Sequence, residues 1–304
     1  MRDRKYTGVW VFQRNLVYVR GALSVLDRAN EDHTFILRHM DGIWGFYPVP
    51  AVVSSHCVLP ESDRTILAIT LDGSVHKATP RGFAWEHVDQ SPFGPNSLRN
   101  MTCMRPIGRS VYAAGMARMV YRRWPGGHWE RFDHGMRKSD AESDVNGFLA
   151  IDGCDEENIY CVGFKGEMWW FNGKKWSRID SLTNLKLEQV RCVAPDLVYA
   201  CGGSGVILQG AKSQWRVIEQ IETTETFWGL EWYREAIWLA DHSNIWRLTK
   251  DGALQRIDMG LNEAPTTRRL HAGDGVLWSV GDHDLIVFDG SLWTKLSPPE
   301  GAIQ

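Results

Sequence analysis

The chain has 304 residues, 43% hydrophobic and 23% charged, with a formal net charge of −3 at pH 7. That balance supplies ample material for a globular core and leaves no basic footprint for nucleic acid. No apolar run approaches the roughly 20 residues that cross a bilayer, so membrane insertion is not expected.

The N-terminal stretch MRDRKYTGVWVFQRNL has a basic start but no continuous apolar segment of the secretory kind, and reads as the start of a cytoplasmic chain. Six cysteines follow: Cys57, Cys103, Cys154, Cys161, Cys192 and Cys201. None forms a C-x-x-C pair. Several sit in apolar strand-like runs (NIYCVGF, RCVAP, LVYACGG), where buried reduced thiols are expected ahead of disulfides or metal ligands.

In chain order, one pattern recurs. Its most degenerate copy is LVYVRGALSVLDRANEDHTFIL, from Leu16 to Leu37. GIWGFYPVPA follows, from Gly42 to Ala51; its Trp44, Phe46 and Tyr47 fall outside the repeat and are expected to staple the closure of the fold, with a partner-facing patch as the alternative. ILAITLDGSVHKATPRGFAWEHV (Ile66 to Val88) and VYAAGMARMVYRRWPGGHWERF (Val111 to Phe132) come next. IYCVGFKGEMWWFNGKKWSRI (Ile159 to Ile179) and VYACGGSGVILQGAKSQWRVI (Val198 to Ile218) align a Gly-x-x-Gly pair and a closing tryptophan. The last copies are IWLADHSNIWRLTKDGALQRI from Ile237 and LWSVGDHDLIVFDGSLWTKL from Leu277.

The anchors Gly21, Thr70, Gly115, Gly163, Gly202, Asp241 and Gly281 are spaced by 49, 45, 48, 39, 39 and 40 residues. An apolar strand precedes each anchor: GVWVF, SHCVL, MTCMR, FLAID, VRCVA, WGLEW and RLHAG. Four short strands per unit of about 40–50 residues predict an all-β, single seven-bladed β-propeller of four-stranded antiparallel blades. A six-bladed ring is the alternative if the first unit is not a blade. The expected blades are 6–50, 51–92, 98–136, 145–182, 187–221, 226–260 and 266–298, in one domain over 1–304. Each anchor glycine is expected to end a strand at a φ > 0 turn. Trp85, Trp129, Trp176, Trp215 and Trp293 are expected to fill the wedges between blades. No strand is shared between the ends, so closure is expected by packing or through residues 1–7.

The stretch DEENIYCVGFKGEMWWFNGKKW, from Asp155 to Trp176, resembles divergent bacterial propellers with a V-Y-A-V-G-x-x-G-x-[IV]-x-x-x-x-G-x-x-W repeat. These group with WD/YVTN-like and photosystem-assembly-factor-like propellers. The resemblance spans nearly the whole chain and implies fold, not activity. No Trp-Asp dipeptide, sialidase-type Ser-x-Asp-x-Gly-x-x-Trp box or in-register Gly-Gly doublet accompanies it.

Catalytic and metal patterns are missing from the sequence. The ten histidines are scattered without ligand spacing. His242 and His283 share one turn of neighbouring blades and read as solvated turn residues. Gly202–Gly205 lies between strands, not before a helix, so it is no phosphate cradle. Asp152, Asp155, Glu156 and Glu157 lack the alternating oxygen ligands of a calcium loop. For a hydrolase or lyase, Asp144, Glu231 and Asp241 are the best acids on offer, and they are not assigned. No cofactor or metal is expected.

What remains is surface. Trp228 and Arg268 fall at matching positions on adjacent inner strands, where other blades have Ser55, Met101, Leu149 and Val190. Tryptophan and arginine dominate interface hot spots. Phe227, Trp228, Arg268, Arg269, Arg99 and Asp144 are therefore candidates for a protein-binding face. The expected function is a non-enzymatic protein-binding propeller of the immunity or antitoxin kind, one that plugs a toxin's active site, or of the assembly-factor kind. The alternative is a lectin-like propeller that binds glycans on exposed tryptophans.

Overall fold

The computed structural model describes residues 4–59, 64–95, 100–136 and 146–299. In chain order the first sheet holds β1 (Arg4–Gln13), β2 (Leu16–Leu23), β3 (Thr34–Met40) and β4 (Ile43–Val49), with the short helix α1 (Ser24–Arg28) between β2 and β3. The second holds β5 (Val53–Val58), β6 (Ile66–Thr70), β7 (Ser74–Thr79) and β8 (Gly82–His87). The third holds β9 (Met101–Ile107), β10 (Ser110–Gly115), β11 (Val120–Arg123) and β12 (Trp129–Arg131). The fourth holds β13 (Phe148–Asp155), β14 (Asn158–Gly163), β15 (Met168–Phe171) and β16 (Trp176–Ile179). The fifth holds β17 (Leu187–Ala194), β18 (Leu197–Gly202), β19 (Ile207–Ala211) and β20 (Gln214–Val217). The sixth holds β21 (Gly229–Tyr233), β22 (Ala236–Ala240), β23 (Ile245–Leu248) and β24 (Leu254–Arg256). The seventh holds β25 (Arg269–Gly273), β26 (Val276–Val280), β27 (Leu285–Phe288) and β28 (Trp293–Leu296).

Every sheet is four-stranded, and its strands pair antiparallel in sequence order. These are the blades of a seven-bladed β-propeller, the degenerate first unit included. The chain forms two compact units, Met1–Val52 with Gln220–Gln304, and Val53–Glu219. The first contains the first, sixth and seventh sheets; the second contains the second to fifth.

In the first unit, the first sheet packs directly on the seventh. Val9, Val17, Val19 and Leu37 share a buried cluster with Val276, Trp278, Val280 and Leu285. Among the bonds that tie the sheets, Tyr6 N–H donates to Asp282 O at 3.0 Å, Val11 N–H to His271 Nδ1 at 3.2 Å and Arg14 N–H to Asp274 Oδ2 at 2.9 Å. Among the described residues no strand is exchanged, and the first and seventh sheets meet by packing, with Tyr6 taking part. The GIWGFYPVPA stretch is not outside the repeat: residues Ile43–Val49 are β4, the fourth strand of the first sheet. Its Trp44 and Phe46 do pack against the cluster shared with the seventh sheet. Tyr233, Trp238 and Ile245 join Leu270, Leu277, Ile286 and Trp293 between the sixth and seventh sheets. In the second unit, Tyr112, Val120 and Phe132 pack against Phe148, Ile159 and Phe171, and Tyr160, Val162 and Met168 against Val190, Val198 and Leu208.

The anchor glycines have a different cause from the one expected. Gly163 has φ −173° and Gly202 φ 178°, extended backbone open to any residue. Close approach excludes a side chain instead. A Cβ at Gly163 would lie 1.9 Å from Gly147 O, at Gly202 2.0 Å from Lys186 O, and at Gly281 2.1 Å from Thr266 O. Positive φ falls on the second glycine of each pair, Gly166 at 69° and Gly205 at 71°. Gly202→Ala is therefore expected to cost at least about 2 kcal/mol in urea unfolding, because only backbone can yield. Gly203→Ala, with its nearest neighbour 3.7 Å away, is the near-neutral control. Equal stability of the two variants would remove the close-approach explanation.

Among the wedge tryptophans, Trp129, Trp176 and Trp293 are buried and Trp215 is half-buried. A sugar-platform role would need them exposed. Trp85 departs from the expectation and is 45% exposed. Side chains alternate along β8, so Glu86 turns towards Arg123 while Trp85 takes the opposite side and packs on His76, 4.9 Å away.

Four cysteines form no disulfide among the described residues, three of them buried, and burial pushes the Cys57 and Cys103 thiols up to about 12. Cys192, expected as a thiol, is instead joined to Cys154 in a disulfide. Within the second unit the inner strands of consecutive sheets run side by side, so residues about one repeat apart, here 38, bring their Cα atoms within 5.4 Å.

Candidate partner-binding face

In five sheets the inner strand skips a residue near its N-terminal end in its pairing with the second strand. The bulged residues are Thr7, Ser54, Thr102, Leu149 and Glu188. Trp228 and Arg268 hold the corresponding places, one residue before β21 and β25. This corrects the sequence register: the counterparts are Ser54, Thr102 and Glu188, not Ser55, Met101 and Val190. A bulge re-aims its side chain, and bulges collect at functional sites. In three sheets a small hydroxyl uses the position to satisfy backbone. Ser54 donates to Ile69 O at 3.1 Å, Thr102 to Phe148 O at 2.6 Å and Thr7 to Arg20 O at 3.5 Å. The sixth and seventh sheets put an indole and a guanidinium there instead.

These two side chains meet. The Arg268 guanidinium carbon lies 4.6 Å from the centre of the Trp228 ring. Arg268 Nη1 is 3.1 Å from Asp282 Oδ1, which fixes the guanidinium over the ring. Arg269 Nη1 donates to Trp228 O at 2.9 Å, and Trp228 N–H donates to Ala240 O at 2.8 Å. Trp228, Arg268 and Arg269 are all half-buried. The face thus offers a ring, a stacked cation and a second cation, each pre-set by bonds within the first unit. In the same unit a groove is lined by Asn244, Arg256, Met259, Leu261 and Pro265.

The other candidates separate. Phe227 is fully buried, 6.5 Å from Trp246 and edge-on to it, so it belongs to the core and not to the face. It occupies the place of Phe148 and Leu187, which are also fully buried. Arg99 and Asp144 lie outside the described residues. His242 and His283 are exposed turn residues. Glu231 and Asp241 are buried; Asp241 accepts from Ser243 N–H, Asn244 N–H and the Trp246 indole, so it shapes a turn. Among the described residues no group of three metal-ligating side chains converges. The acidic loop is a structural tie: Asp152 receives Arg105 at 2.8 Å, Arg191 at 3.6 Å and Cys192 N–H at 2.8 Å, and Glu156 receives Arg122.

Asp284 holds the loop that bears Asp282. It accepts from Thr266 N–H at 2.7 Å and the Thr266 hydroxyl at 2.8 Å, with Lys295 Nζ at 2.7 Å. Burial pushes its carboxyl up, but the Lys295 and Thr266 bonds outweigh that and hold it below the ordinary carboxylate value. A lowered folded-state value means stability present above the ordinary range and lost as pH falls through the lowered one. Asp284→Asn is therefore expected to flatten the acid limb of stability below about pH 4, read by urea unfolding across a pH series. An unchanged acid limb would mean the carboxylate contributes nothing.

No family model matches the chain. It is 32% identical over 298 residues to the immune protein Tsi7 of Pseudomonas aeruginosa, which covers 95% of this chain and 96% of that one. The chain belongs to the Tsi7 family of immune proteins. Solved structures agree on the fold of this Tsi7-family member. It matches the WD40 propeller domain of Doa1 with a TM-score of 0.70 at 11% identity, covering 99% of this chain and 95% of that one. It matches YCF48 bound to D1 peptide with a TM-score of 0.65 at 12% identity, over 92% and 90%. Chaetomium thermophilum Sqt1, bound to the N-terminus of ribosomal protein L10, matches with a TM-score of 0.61 at 10% identity, over 96% and 86%. At such identities these likenesses speak for fold alone, the WD-type fold that the repeat resembles.

Proposed function

We propose that the protein is an immunity protein that acts in the cytoplasm by binding a cognate toxin, without catalysis of its own, through the face formed by Trp228, Arg268 and Arg269. The observation that carries this reading is the end-to-end relation to an immune protein. The face supports it, because a tryptophan under a fixed arginine is the chemistry of an interface hot spot, ordered before the partner arrives. Blocking a toxin needs affinity and cover, and an ordered face binds with less loss of side-chain freedom.

The test is co-expression of the chain with the toxin encoded beside it, scored by survival of a sensitive host and by recovery of a stoichiometric complex. Survival with a complex is the expected result. Survival without any complex would overturn the binding mechanism, and no protection from any neighbouring toxin would overturn the immunity reading.

A further inference from the structure

Arg20 lies on β2 opposite Gly8. The same position in the other six sheets is Ile69, Ala114, Val162, Cys201, Ala240 and Val280, each paired in the same register. All six are apolar or weakly polar and at most 1% exposed. The first sheet alone puts a guanidinium there, and it is 8% exposed.

That guanidinium is only partly satisfied. Nε donates to Thr7 Oγ1 at 3.0 Å and Nη2 to Thr7 O at 3.1 Å. Nη1 is shielded from solvent and has no hydrogen-bond partner. No carboxylate is paired with Arg20 among the described residues. Among the described residues the charge that acts on it is a second cation, Arg269 of the face, on β25, the inner strand packed beside β1. Burial first, and then Arg269, lower its pKa to about 9, which still leaves it charged at neutral pH. A buried cation without a counter-ion is costly, and a like charge beside it adds to the cost. The space it uses exists because β1 has glycine at position 8: a Cβ there would lie 3.1 Å from Nη2.

We propose that Arg20 and Arg269 form a socket for a carboxylate, an aspartate or glutamate side chain that the protein partner inserts at the edge of the Trp228–Arg268 face. The two guanidiniums supply donors in planar forks, the geometry that suits a carboxylate. Thr7 and Arg269, both half-buried, are the way in from the surface. Insertion supplies the counter-ion that Arg20 lacks and relieves the repulsion between the two cations, so the cost held in the free protein is returned on binding. The socket rests on the proposed protein-binding role for the identity of the partner, but not for its chemistry.

Two measurements on the full chain test it. Arg20→Met keeps an unbranched apolar stem and removes the charge. The expected result is a melting temperature equal to or above that of the unaltered protein, together with at least a tenfold loss of affinity for the cognate toxin. A lowered melting temperature with unchanged affinity would make Arg20 a structural tie to Thr7 and overturn the socket. The second measurement needs no toxin, so it separates failure of the socket from failure of the immunity reading. The arginine Nε–H resonances of the unaltered chain are followed by NMR during titration with N-acetyl-glutamate methylamide, its glutamine counterpart and inorganic phosphate. A saturable shift of Arg20 with the glutamate compound and not the glutamine one is expected. A response to phosphate alone would make the site one for free anions, and no response to any of the three would also overturn the proposal.

Discussion

Replacing Trp228 by alanine is expected to weaken the complex with the cognate toxin at least about 30-fold, the factor that corresponds to a hot-spot loss of about 2 kcal/mol. The indole is half-buried in the free protein, so its outer part is available to a partner while its inner part is held. The backbone on either side is fixed by the Ala240 and Arg269 bonds, so the ring is not ordered at the expense of binding. Arg268→Ala is expected to lose less alone, and the double variant less than the sum, because each residue orders the other across 4.6 Å. The loss should appear mainly in the dissociation rate, as is usual for contacts at the centre of an interface. Calorimetry or surface plasmon resonance gives the affinity, and thermal melting checks the fold. Affinity unchanged in Trp228→Ala, with melting intact, would move the binding site off this face. Phe227→Ala is unsuited to the question, since that ring is fully buried and its loss would damage the core.

Much of the architecture was legible in the sequence because it repeats. Gly163 and Gly166 align with Gly202 and Gly205, and tertiary demands that recur once per blade show as spacing. What the repeat did not reveal was register within the inner strand. A bulge shifts the alternation of side chains by one residue, so Phe227 and Trp228, neighbours in sequence, have opposite fates: one core, one face. The signal that could have separated them is comparison down the column, since Phe148 and Leu187 mark the buried place and Thr7, Ser54 and Thr102 the bulged one. The same comparison marks Arg20, whose six counterparts are apolar or cysteine. The glycine anchors were legible as positions but not as causes, because a clash with a neighbouring carbonyl is invisible without the fold. Nor does spacing reveal that Cys154 and Cys192, on consecutive inner strands, come within bonding distance.

Glu86→Ala is expected to destabilise the protein by about 3–5 kcal/mol, the range for stranding one member of a buried ion pair. Glu86 meets Arg123 in two parallel bonds, Nε to Oε2 at 2.7 Å and Nη2 to Oε1 at 2.8 Å. The Trp129 indole N–H adds a third at 3.1 Å, and Lys77 stands 3.5 Å away. Arg123 is 3% exposed, so without Glu86 its charge could not be hydrated in place. Burial alone would push the Glu86 carboxyl up; the Arg123 and Trp129 bonds and the Lys77 charge outweigh this and hold it below its ordinary value. Between the sixth and seventh sheets the equivalent seam is aromatic, with Phe288 stacked on Trp293 at 4.8 Å and Trp238 alongside. Arg123 of the third sheet holds the place of Phe288, paired with Trp129 as Phe288 is with Trp293, and the second sheet meets it with Glu86. Its seam with the third sheet is therefore ionic. The decisive comparison is Glu86→Leu combined with Arg123→Met: replacing both charges by apolar side chains should recover most of the stability that either change alone removes. Urea unfolding of the two single variants and the double one measures this directly. Additive losses would show that the pair is not coupled, and a cost below about 1 kcal/mol for Glu86→Ala would place it with solvent-exposed ion pairs.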